Sequence, residues 1–74
     1  MEAEYPELLK HLGSRIRAIR EEKGLSQEEL GFRSNLHRTY ISEIELGQKN
    51  PTYLTLIKIS EALGISIFEL IPKT

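Results

Sequence analysis

At 74 residues the chain is long enough for one domain, which would bury only about 60% of the surface its unfolded form exposes. Its 39% apolar and 28% charged residues exclude a disordered class, and the absence of cysteine excludes disulfide staples and thiolate metal sites, which fits a reducing cytoplasm. A net charge of −1 argues against a simple polybasic nucleic-acid binder, and no apolar run approaches the ~18 residues of a membrane span.

The opening residues, MEAEYPELL, are acidic and lack the basic start of a secretory signal. Pro6 suits a first helical position, with Glu7 in the favourable first turn. Leu8, Leu9, Leu12, Ile16 and Ile19 follow at helical spacing and Gly24 provides a stop, so the first helix is expected over about 7–23. Gly13 costs this helix up to about 1 kcal/mol relative to Ala, which implies a ragged turn or a close approach there. Lys10, Arg15, Arg17 and Arg20 fall in a stretch without acids. They predict a local positive face on an acidic protein, enough to steer a phosphate backbone.

Ser26-Gln27-Glu28-Glu29 has the spacing of a capping box and predicts a second helix over about 27–34. Asn35 tolerates the positive φ of a tight turn. The third helix is expected over about 38–46, with Leu36, Ile41 and Ile44 forming its buried stripe and Gly47 its stop. Thr52 caps a fourth helix over about 53–63, whose Leu54, Leu56, Ile57, Ile59, Ala62 and Leu63 are expected to face mostly inward. Ser66-Ile67-Phe68-Glu69 is a second capping box and opens a fifth helix over about 67–71. A short buried strand over Ile65–Ile71 is the alternative, but no other segment alternates with period two to pair with it. The fold class is therefore all-α with five helices.

Two short helices joined by a tight turn, the second outwardly polar, have the geometry of a helix-turn-helix. Leu30, Leu36, Ile41 and Ile44 would fill the wedge between the helices, and Gly31 would lie where they approach most closely. These residues resemble the Cro/repressor type of helix-turn-helix protein, with its lambda-repressor-like fold. The run LHRTYISEIELGQKNP is similar to the controller proteins that regulate restriction–modification genes. The resemblance covers about residues 8–71. It departs from the family pattern at Gly31, where Ala is usual, and Asn35, where Gly is usual. Both are expected to be sterically compatible.

The third helix would then lie in a major groove, its leading residues reaching base edges. Arg38 can donate a fork to guanine, and Thr39 offers a hydroxyl and a methyl group. Ser42 and Glu43 follow one turn on, Glu43 as an acceptor for cytosine N4 or as an orienting group for Arg38. His37 and Arg33 are phosphate candidates. Tyr40 either reaches a phosphate through its hydroxyl or covers the edge of the core. The resemblance further implies phosphate contacts from Gln27, Lys49 and Asn50, and a structural ion pair between Arg20 and Glu45. Lys49 can also extend to bases.

His11 and His37 lack metal-ligand spacing and a Cys partner, so no metal is expected. No nucleophile–base set or phosphate-binding glycine loop is present, and the expectation is a non-enzyme without cofactor, membrane partner or small-molecule ligand. Ile65, Ile67, Phe68, Leu70 and Ile71 are more apolar than a short terminal helix needs, and are expected to form a dimer interface within a dimerisation region of about 64–72. The resemblance places the two-fold interface at the same end. The whole chain, 1–74, then reads as one DNA-binding domain, its motif over about 26–47. It would act as a homodimeric regulator, repressor or activator, on a palindromic operator. An antitoxin, or an interaction module that kept the fold without DNA binding, is the competing function.

Overall fold

Each helix begins at a residue that sets its first turn. Pro6 occupies the first position of α1 (Pro6–Glu22), where its missing N–H costs nothing. In the computed structural model, which describes residues 5–72, four further helices follow: α2 (Gln27–Ser34), α3 (Arg38–Glu45), α4 (Tyr53–Leu63) and α5 (Ile67–Leu70). Ser26 and Ser66 make reciprocal capping boxes with Glu29 and Glu69, and the Thr52 hydroxyl accepts from Thr55 N–H. His37 caps α3 through Nδ1, which accepts from Thr39 N–H at 3.0 Å. Of the acidic start, Glu2 and Glu4 lie outside the described residues.

The ends of α1 to α4 are equally local in origin. N–H groups of Leu25, Leu36, Gln48 and Ile65 bond back to carbonyls five residues earlier, those of Arg20, Gly31, Glu43 and Ser60, at 2.9–3.1 Å. Each bond needs a left-handed residue just before its donor. Gly24, Gly47 and Gly64 fill three of these positions, and Asn35 (φ 57°) fills the fourth, the turn between α2 and α3. Ile65–Ile71 contributes a helical turn and no strand is present among the described residues.

The core joins Ile16 and Ile19 of α1, Leu25, Leu30 of α2, Ile41 and Ile44 of α3, Ile59 and Leu63 of α4, and Leu70 of α5. Helix α1 packs on α3 and α5, while α2 packs on α3 and α4. This leaves α3 braced on two sides. Two expectations need correction. Leu54 is 68% exposed and does not face inward, since the buried side of α4 is carried by Ile59, Ser60 and Leu63. Leu70 is fully buried beneath the other helices, so it is core and not an interface residue. Gly31 does lie at the closest approach, as expected: an added Cβ would come within 2.7 Å of the Leu36 carbonyl oxygen, so glycine fits where Ala would need a backbone shift.

Gly13 is resolved in favour of close approach: an added Cβ would strike the carbonyl oxygens of Ile44 and Glu45. The missing side chain lets α1 touch the end of α3 backbone to backbone.

Candidate nucleic-acid interface

Helix α3 has a buried stripe of Ile41, Ile44 and Glu45, with Tyr40 half-buried against the core. At 3.6 residues per turn, positions 38, 39, 42 and 43 then span an arc of about 140° on the other side. Arg38 and Thr39 are exposed at the leading end; Ser42 and Glu43 are half-buried behind them. The arc carries donors and acceptors and no apolar side chain, and α3 has the diameter a major groove admits. The His37 cap occupies Nδ1, which fixes the neutral ring in the tautomer with its N–H on Nε2, available as an outward donor.

Helix α2 lies beside this arc. Its first residue, Gln27, is half-buried and donates from Nε2 to Glu45 Oε1 at 3.0 Å. Its second residue, Glu28, places a carboxylate 3.9 Å from Arg38 Nη1, with both side chains largely exposed. Arg33 is exposed further along α2. Lys49 and Asn50 are exposed in the loop after Gly47, on the approach to buried Pro51. The geometry thus brings Gln27, Arg38 and the α3 arc together at one edge. Tyr40 sits about 200° around α3 from Arg38, against the core, so only its ring tip can face outward.

Arg20 and Glu45 form the expected buried ion pair. Arg20 Nε donates to Glu45 Oε2 at 2.7 Å and Nη2 to Oε1 at 3.1 Å, while Nη1 reaches the Leu25 carbonyl at 2.7 Å. The bonds to Glu45 raise the Arg20 pKa above its ordinary value, against the opposing effect of burial. Of the other α1 bases, two have a carboxylate close by and one meets a backbone carbonyl. Lys10 lies 3.9 Å from Glu7, Arg17 pairs with Glu21 at 3.3 Å, and Arg15 Nε donates to the Glu69 carbonyl at the end of α5. The carboxylates of Glu7 and Glu21 offset Lys10 and Arg17 in part, while the carbonyl at Arg15 leaves that charge in place.

Glu28 and the capping role of His37 escaped the reading of the sequence. The cap could have been suspected from His37 directly preceding α3. The Glu28–Arg38 approach crosses the turn between two helices and carries no local signal.

Residues 16–70 match the helix-turn-helix family HTH_3. The chain is 43% identical over 68 residues to the HTH-type transcriptional regulator y4dJ of Sinorhizobium fredii, covering 92% of this chain and 88% of that protein. It is 46% identical over 63 residues to the control protein C.BamHI of Bacillus amyloliquefaciens, covering 84% and 78%. The solved structure of the restriction–modification controller protein C.AhdI from Aeromonas hydrophila is 44% identical and superposes with a TM-score of 0.83, covering 89% of this chain and 98% of that one.

Proposed function

The chain belongs to the Cro/C1-type helix-turn-helix family, and from that premise we propose that it is a transcriptional regulator that binds a palindromic operator as a homodimer and controls restriction–modification genes. The observation that carries this reading is the α3 arc: Arg38 and Thr39 lead an exposed polar face on a helix wedged from two sides by α1 and α2. In this reading Arg38, Thr39, Ser42 and Glu43 address base edges. Gln27, Arg33, His37, Tyr40, Lys49 and Asn50 hold the phosphate backbone, and no group performs catalysis. The similarity to two control proteins supports the restriction–modification role.

A single module of this size makes a small DNA interface, so dimerisation is needed for tight binding. Ile65, Ile67, Phe68 and Ile71 supply the proposed contact within residues 64–72; Leu70 supports it from the core. Phe68 is 84% exposed and lines a shallow groove with Arg15, Glu69, Ile71 and Pro72. Two copies would space their α3 helices by about one turn of duplex, roughly 34 Å.

Selection from a randomised duplex library tests the proposal. The expected product is a two-fold symmetric sequence bound by two copies, with affinity falling steeply as salt rises. Enrichment of no sequence, or of an asymmetric site bound by one copy, would refute it.

A further inference from the structure

We propose that Glu45 is a positioning residue for DNA binding. It holds the carboxamide of Gln27 so that the amide's second N–H is presented to the DNA backbone. The inference rests on reading the α2–α3 surface as the DNA-binding face.

The side chain of Glu45 is 2% exposed and that of its partner Arg20 is 9% exposed. Both carboxylate oxygens take Arg20 N–H bonds, and the guanidinium is tied in turn to the Leu25 carbonyl. Three elements are therefore locked around one dry anion: α1 through Arg20, the turn before α2 through Leu25, and the end of α3 through Glu45 itself. Stability is a weak reason for such a pair, since apolar residues of similar volume often serve a core as well. Its further use lies in the remaining contact, Gln27 Nε2 to Glu45 Oε1 at 3.0 Å.

An ionised carboxylate only accepts hydrogen bonds. It therefore demands the nitrogen end of the Gln27 amide and rejects the oxygen end, so the orientation is set by chemistry. One Nε2–H is used, leaving the second. A phosphate oxygen also only accepts, so this second N–H is the group a DNA backbone can engage. An unanchored glutamine would rotate, present its carbonyl to phosphate in some rotamers, and lose side-chain freedom on binding. Glu45 removes both losses in advance. The backbone N–H groups of Gln27 and Glu28 point out of the same helix end and add to the attraction for an anion, while that of Glu29 is taken by the Ser26 hydroxyl.

The test compares Gln27→Ala in two backgrounds, the natural chain and Arg20→Met/Glu45→Leu, on a duplex selected from a random library. In the natural chain, Gln27→Ala should weaken binding about tenfold, the worth of one hydrogen bond to a charged group. The salt dependence should not change, because no charge is removed. The apolar double variant should already bind about tenfold more weakly, and adding Gln27→Ala there should cost less than about twofold. An equal loss in both backgrounds would show that Gln27 works without Glu45 and would overturn the proposal.

A second measurement needs no substitution and decides the matter should the double variant fail to fold. Side-chain amide 15N relaxation in the free protein should show Gln27 rigid and exposed Gln48 mobile. Equal mobility of the two would sink the idea. Arg38→Ala separates this inference from the reading beneath it. If Arg38→Ala weakens binding while Gln27→Ala does not, DNA recognition stands and the role of Glu45 falls. If neither substitution has an effect, both fall.

Discussion

A single methyl group added to Gly13 would collide with the carbonyl oxygen of Glu45, and with that of Ile44 beside it. The obstacle is main chain, which cannot swing aside as a flexible side chain would. This contact fixes how closely α1 can approach the end of the candidate recognition helix. Gly13→Ala should gain up to about 1 kcal/mol of helix propensity and lose more through overpacking, which costs typically 1–3 kcal/mol against softer neighbours. The expected net effect is a destabilisation of about 2 kcal/mol, seen as a melting point lower by roughly 10 °C in thermal circular dichroism. A melting point that stays or rises would mean α1 is free to slide away from α3.

Arg38 carries the largest share of the proposed sequence recognition. Arg38→Ala should reduce affinity for the selected duplex by roughly 1–3 kcal/mol, with a smaller loss on a scrambled duplex, as expected for a base contact. Glu28 acts in the opposite sense. Its carboxylate lies 3.9 Å from Arg38 and faces the same solvent that a phosphate backbone would occupy. Exposed pairs of this kind are worth about 0–1 kcal/mol, so Glu28→Gln should tighten binding to both duplexes by a few-fold at most. Fluorescence anisotropy titrations at two salt concentrations would resolve the pair. A tighter complex on removal of Arg38 would contradict the assignment.

The helices were legible because their boundaries are set locally. Ser26, Thr52 and Ser66 lie within three residues of the amides they cap, and Asn35 and Gly47 lie within the turns they permit. What required coordinates was direction. Phe68 and Leu70 are apolar neighbours on a four-residue helix, yet one is 84% exposed and the other fully buried. A single turn is too short for periodicity to tell them apart. Lys10, Arg15 and Arg17 read as a basic run until the folded helices set Glu7 and Glu21 beside Lys10 and Arg17, and the Glu69 backbone carbonyl beside Arg15. For the candidate site, the α3 arc followed from spacing alone. The Gln27–Glu45 bond spans eighteen residues and the Glu28–Arg38 approach spans a turn; neither leaves a mark in a local window.

Acid should loosen the start of α2. Glu29 accepts from the Ser26 backbone N–H, and this bond, with the Ser26 hydroxyl contact, holds its pKa below the ordinary 4.5. A carboxyl whose pKa is lowered by folding stabilises the fold above its unfolded value, and that contribution disappears as pH falls through the folded value. The melting point should therefore fall between about pH 5 and pH 3. Glu29→Gln can keep the bond geometry of the box without ionising. Its melting point should decline less over the same range. Identical slopes would mean that other carboxylates dominate the acid response.

Phe68 gives the sharpest test of assembly. It is 84% exposed, and burying so large an aromatic ring against a two-fold copy counts twice, because an isologous contact uses each residue on both sides. Leu70, on the same turn, is anchored in the core, so substitutions at Phe68 should spare the monomer fold. Phe68→Ala should weaken dimerisation by about 2 kcal/mol or more, the size of a central contact, which is roughly thirtyfold in dissociation constant. Sedimentation equilibrium reads this directly, and circular dichroism checks that helicity is retained. DNA affinity should fall with it, because two linked half-sites bind as one only while the dimer holds. A variant that stays dimeric at the same concentrations would move the two-fold interface away from α5.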